Sequence, residues 1–215
     1  MVTRKSPPLR IHPAVWKKMW RLLELVNAAQ NKRELFEAFF MSARRLIPHK
    51  SAVYFPMDMV TQVPCGTGHI AVDLPGYVEA GRRYGSYYCG LDPLKDLRLP
   101  SNMNKPKKTT DFVDPGRVTE GEYYNDFLKP LGIVYNLGCQ IGFNGRSVGG
   151  MALHRGLGDK DFTEKERVIL GHLAPHLAYA IYHVGVGQQN LDRLETGKKR
   201  AKDIGAAAKT AALAG

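Results

Sequence analysis

The segment from 133 to 156, IVYNLGCQIGFNGRSVGGMALHRG, constrains the fold more than any other part of the chain. Two apolar runs flank Asn-Gly-Arg. Asn and Gly both tolerate positive φ, which a tight turn between twisted strands demands, so the segment predicts an antiparallel hairpin. A second pair of short strands is expected upstream, in KSAVYFPMD and GHIAVDL, whose β-branched and aromatic residues lie between Pro and Gly punctuation. Strands joined in this way give a largely antiparallel sheet, and the intervening segments must supply the helices that cover it.

Those helices are legible as apolar stripes. Val15, Met19, Leu22 and Val26 are spaced four, three and four apart, one face of a helix from His12 to Ala29, with Pro13 suited to its first turn. A second helix is expected from Lys32 to Leu46, stopped before Pro48. GYVEAGRRYGSYYCGLDPLKDL reads as helical in parts, RLPSNMNKPKKTTDF as a loop, and GEYYNDFLKPLG as a short helix closed by Gly132. After the hairpin, Thr163 followed by Glu164 and Glu166 caps a long helix. The expected class is α+β: a central antiparallel sheet flanked by helices, with long helices at both ends.

The long last helix carries His172 and His176, four apart, with Pro175 between them. A metalloprotease helix needs H-E-x-x-H, and this one lacks the Glu and an evident third ligand. The pair reads as structural, and no metal and no cofactor are expected. Along the same helix Leu170, Leu177, Val184 and Leu191 repeat every seven residues, with Leu173, Ala180 and Leu194 as a second row. The first part is expected to pack on the sheet, and the part beyond Val184 to project and meet another helix. Val15, Met19, Leu22, Val26, Val184, Leu191 and Leu194 are therefore the expected contacts of a homodimer.

The net charge of +11 is uneven. Residues 1–33 hold eight Lys or Arg and one acid, residues 195–215 five and two, and the centre is nearly neutral. Basic ends can touch nucleic acid through phosphates but carry no sequence information, so DNA binding by this chain is expected to be weak. Each end taken alone reads as a solvated terminal face. No run of eighteen apolar residues and no apolar signal core are present, so neither a membrane span nor secretion is expected. Cys65, Cys89 and Cys139 are odd in number and share no C-x-x-C spacing, which fits a reducing cytoplasm. The G-x-S-x-G elbow, the phosphate loop and the dinucleotide fingerprint are all missing, so no catalysis is expected; an enzyme using Cys89 or His154 is the least favoured reading.

Aromatic residues cluster at Tyr77, Tyr84, Tyr87 and Tyr88, with Phe112, Tyr123, Tyr124 and Phe127 after them. Such rings pack a core or, with their hydroxyls, line a small-molecule pocket. The pocket is expected between the sheet and residues 77–92, with Tyr54, Tyr84, Tyr88, Phe112 and Cys139 on the ligand and Asp92 as a helix cap before Pro93.

The ordered pieces YYCGLDPL, YYNDFLKPLG, VGGMALHR and DFTEKERVILGHLAPHLAYAI resemble the GAF-like sensor domain at the N-terminus of many LuxR-type bacterial transcription regulators. The resemblance covers about residues 12–184. It implies a sheet of about six strands, a small ligand beside it, and dimerisation through the terminal helices. Domain boundaries follow: a basic arm over 1–11, the sensor over 12–184, and a projecting helix with an Ala/Lys-rich tail or linker over 185–215. The family's helix-turn-helix module, L-T-x-R-E and two short helices, has no counterpart after Val184. Acyl-homoserine-lactone domains carry a tryptophan upstream of the D-P pair where this chain has Glu79, so lactone binding is not expected. The N-K-F-D-E signature of cyclic-nucleotide GAF domains is also missing. The function implied is a cytoplasmic, dimeric, ligand-sensing regulatory domain. The other reading is a stand-alone interaction protein whose basic ends meet nucleic acid or a partner.

Overall fold

A computed structural model describes residues 10–58, 60–61, 68–185, 187 and 196. The chain begins with α1 (Pro13–Ala28), whose N-cap His12 accepts the Ala14 amide through Nδ1 at 3.2 Å. A turn leads into α2 (Lys32–Ala43), capped by Asn31 and Glu34: Asn31 Oδ1 accepts the Glu34 amide and the Glu34 carboxylate accepts the Gln30 amide, both at 3.0 Å. α2 ends three residues short of the expected Leu46, in a tight turn that feeds β1 (Ser51–Pro56). β2 (Ile70–Val72), α3 (Tyr77–Ser86) and a run of 3₁₀ turns follow. A two-residue β3 (Lys107–Lys108) precedes a π-helical turn over Tyr123–Leu128. The hairpin of β4 (Tyr135–Phe143) and β5 (Arg146–Arg155) turns at Asn144-Gly145, with φ of 49° and 73°. The last helix, α4, runs over 164–185 straight through Pro175.

The sheet is antiparallel throughout, in the order β2-β1-β5-β4-β3. That is five strands among the described residues, close to the expected number of about six. β3 lies in what reads as a loop: two lysines reach the edge only by pairing with Leu137 and Gly138.

One face of the sheet carries Ala52, Tyr54, Leu137, Cys139, Ile141, Met151 and Leu153, and α1, α2 and α4 cover it. Phe36, Phe39 and Phe40 of α2 are fully buried there. Burial of this kind contributes about 1.5–3 kcal/mol per large side chain. The α4 stripe also belongs to this core, with Leu170, Leu173, Leu177 and Ala180 buried and Val184 packed at its edge. Thr163 and Glu166 form a reciprocal capping box at the start of α4.

The helix stripe expected to make a dimer is spent on this core. Met19, Leu22 and Val26 are buried against α2 and the sheet, and Val15 packs at the margin. An amphipathic helix beside a sheet buries its apolar face on its own domain first. Leu191 and Leu194, like the arm at 1–9 and most of the tail, lie outside the described residues. What α1 leaves outward is Trp16, against His172 at 5.1 Å, and Trp20, against His176 at 6.4 Å. No helix among the described residues is long and apolar enough to cross a membrane.

Candidate functional site

The other face of the sheet is not covered by a helix layer. α3 and the π turn stand over it and leave a cavity of about 80 Å³. Its floor comes from three adjacent strands: Val53 and Phe55 of β1, Ala152 and His154 of β5, and Asn136 of β4. Strand alternation fixes this set, because side chains two apart share a face. α3 supplies Tyr77, Ala80 and Tyr84 to one wall, and the π turn supplies Tyr123, Phe127 and Leu128 to another. Arg83 ties the two walls together by donating to the Asp126 carbonyl at 2.9 Å. A π turn re-aims side chains relative to an α-helix, and here it brings Tyr123 and Phe127 over the sheet.

The expected position of the cavity, under residues 77–92, is where it lies; the expected contacts fare differently. Tyr84 lines it, with its ring 5.8 Å from Phe55 and 5.7 Å from Phe127. Tyr88 sits behind this wall, stacked on Phe127 at 4.9 Å, and its hydroxyl accepts from Arg83 at 3.1 Å. Tyr54 and Cys139 are on the opposite face, inside the helix-covered core. The Tyr54 ring stacks on Phe36 at 3.8 Å and its hydroxyl donates to the Val148 carbonyl at 2.7 Å. Their neighbours Val53 and Asn136 show why: with odd positions of β1 and even positions of β4 on the cavity, Tyr54 and Cys139 must point away. Phe112 is 50% exposed and does not reach the cavity.

Three polar groups that matter were not expected at the site. Asp92 is one. It does cap, accepting the Leu94 amide through Oδ1 at 2.8 Å, but its other oxygen accepts the Tyr84 hydroxyl at 2.7 Å and the residue lines the cavity. The Tyr123 hydroxyl adds a looser contact to the same carboxylate. Burial holds the Asp92 carboxyl above the usual carboxylate range, against the pull of these donors. The same burial, with the Asp92 charge beside them, raises the Tyr84 and Tyr123 phenols. His154 is the second. Burial, and then the nearby His49, pushes it down to about 3, so it is a neutral imidazole whose Nδ1 lies 2.9 Å from Ser51 Oγ. Asn136 is the third; it pairs in register with His154, is buried, and among the described residues its carboxamide makes no hydrogen bond. No cluster of three or more potential metal ligands occurs among the described residues. The sequence signal for Asn136 and His154 was a polar residue in the middle of an apolar strand. Such a residue has to find a partner inside.

No protein-family model and no curated protein matches the chain. Solved structures do match in shape. CepR2 from Burkholderia cenocepacia, an N-acylhomoserine-lactone-dependent LuxR family transcription factor, superposes with a TM-score of 0.53 at 16% identity, covering 80% of this chain and 94% of that one. The VqsR LBD domain from Pseudomonas aeruginosa gives 0.54 at 13% identity over 80% and 98%. The GAF domain of an Acinetobacter phosphoenolpyruvate-protein phosphotransferase gives 0.54 at 11% identity over 82% and 97%. At these identities the likeness is one of fold, and the fold is GAF-like.

Proposed function

We propose that this chain is a small-molecule-sensing regulatory domain of the LuxR type, without catalysis of its own, that passes ligand binding on through its terminal helices. The observation that carries the reading is the cavity itself. It lies between the sheet and an aromatic cover, and it is lined by a buried carboxylate and by a carboxamide that has no partner among the described residues. A core built only for packing satisfies such groups or excludes them. The LuxR assignment leans on the ordered sequence motifs and on the fold shared with CepR2 and VqsR. CepR2 is described as lactone-dependent, but the position expected to hold a lactone-facing tryptophan here carries Glu79.

The reading includes a cytoplasmic homodimer. Its interface draws on the outward row of α1 and α4, where Trp20 is 59% exposed beside His176. The same row is what favours the second reading, a stand-alone interaction protein.

The test is ligand-dependent melting of the full chain against a small-molecule library, run beside Ala152→Phe. Ala152 sits on the cavity floor, and a phenyl ring there fills the space. A compound that raises Tm of the parent and not of the folded variant supports the sensor. If no compound moves the parent, the interaction reading replaces it.

A further inference from the structure

The two polar ends of the cavity differ in kind, and the difference specifies the ligand. At the floor, the neutral His154 shares a hydrogen bond between Nδ1 and Ser51 Oγ at 2.9 Å, which either ring tautomer satisfies. Its Nε2 makes no hydrogen bond within the described residues, and neither does the carboxamide of Asn136 beside it. Both residues line the cavity. The Asn136 amide therefore offers the floor an N–H donor.

The roof offers the reverse. The Asp92 carboxylate is about nine-tenths buried, and no Lys or Arg among the described residues lies within ion-pair distance of it. Three neutral donors, Tyr84 O–H, Tyr123 O–H and Leu94 N–H, hold it in place, and Arg98, the cation acting on it, stands outside ion-pair distance. Buried charges are normally paired. The rings of Tyr77, Tyr84, Tyr123 and Phe127 line the same cavity, and aromatic faces attract a cation. Size is the third constraint. A water-sized group needs roughly 10–15 Å³ by this measure, so the cavity takes on the order of five to eight such groups. A long acyl chain does not fit that space.

Resting on the sensor reading, we propose that the ligand is a compact organic ammonium that also carries a hydrogen-bond-accepting oxygen. The ammonium meets Asp92 and the neighbouring rings, and the oxygen meets the Asn136 amide. An anion is disfavoured beside the Asp92 carboxyl, and a neutral molecule brings no cation to it.

The experiment uses the full chain and five small probes: 4-aminobutanamide, 4-aminobutanol, butanamide, butylamine and succinamate. Binding is read by Tm and by calorimetry. The proposal expects 4-aminobutanamide or 4-aminobutanol to bind at least tenfold more tightly than butanamide and succinamate, with butylamine intermediate. Asp92→Asn should remove the preference for ammonium. Asn136→Ala, which leaves the Leu94 cap intact and so guards against a variant that fails to fold, should bring 4-aminobutanamide down to the level of butylamine. Tightest binding by butanamide or succinamate overturns the ammonium class and leaves the pocket standing. Failure of all five probes overturns the class, and the pocket reading falls with it only if the library screen is also silent.

Discussion

Acidification should weaken this fold through two buried histidines. His154 is pushed down to about 3 by burial and by its neighbour His49. His49 is pushed down to about 4, first by burial and then by Arg44 and Arg155, against the opposing pull of the Ile47 carbonyl and Asp73. Its Nδ1 donates to the Ile47 carbonyl at 2.7 Å, and its Nε2 is buried without a partner. In the unfolded chain both rings take a proton near pH 6.5. The folded pKa lies below the unfolded one, so their contribution is complete above about pH 6.5 and drains away as pH falls through the window down to about 3 to 4. At pH 5 each histidine costs about 2 kcal/mol, and because the two interact the pair costs somewhat less than the sum. Asp92 works in the other direction. Its raised carboxyl takes up a proton in the folded state first, so it offsets part of the loss as pH falls.

The assay is urea denaturation at pH 7.5, 6.5, 5.5 and 5.0 at fixed ionic strength. With a slope of about 2 kcal/mol per molar, the midpoint should fall by roughly 1 M or more between pH 7.5 and 5.0. His154→Gln keeps a polar side chain under Ser51 and should remove about half of the dependence. A midpoint that stays level over this range, in parent and variant alike, refutes the burial argument for both rings.

Tyr54→Phe removes a buried hydroxyl and leaves the Val148 carbonyl with the longer bond from the Met57 amide at 3.4 Å; it should cost about 0.5–1.5 kcal/mol by urea melting while ligand affinity stays unchanged, because Tyr54 faces the helix layer. Arg155→Met should cost about 3–5 kcal/mol, because it strands the buried Glu166 carboxylate and the carbonyls of Pro48, Lys160 and Asp161; Glu166→Gln in the same chain should recover part of it. If the outward face of α1 and α4 joins two copies, sedimentation equilibrium of Trp16→Ser/Trp20→Ser should show a dimer at least tenfold weaker than the parent's, with Tm at low concentration within a few degrees; equal association would move the interface elsewhere.

The hairpin and the long helices were legible because each carries a local signal that tertiary packing does not override. Asn144-Gly145 needs positive φ and has it, and Thr163 with Glu166 caps as its spacing says. β3 carries no such signal. Lys107 and Lys108 form a strand only because the β4 edge is there to pair with, and the π turn at Tyr123–Leu128 is likewise a product of packing. At the site, the segment was legible and the side-chain facing was not. SAVYF is apolar at nearly every position, since β1 is covered on both faces, so no alternation marks which of Val53 and Tyr54 meets the cavity. Asp92 misled for a different reason. Its two oxygens serve two tasks, and the Asp-Pro pair advertises only the cap.

The two faces of the sheet also differ in what holds them. The helix side is dense apolar packing around Phe36, Phe39, Phe40 and Tyr54. The cavity side is closed by a short helix, 3₁₀ turns and a π turn, tied by side-chain hydrogen bonds such as Arg83 to Asp126 and Arg98 to the Cys89 carbonyl. A cover of this kind opens at lower cost than the core beneath it, which is what a domain that admits a ligand needs. Under the sensor reading proposed above, a signal would cross to the terminal helices without loosening that core, and β5 offers a direct connection. His154 meets the cavity, and the next residue, Arg155, points to the helix side, where it lies over Phe162 at 4.1 Å and clamps Glu166 in the first turn of α4 at 2.7 Å. A ligand that displaced His154 would therefore act one residue away from Arg155, the side chain that holds the first turn of α4.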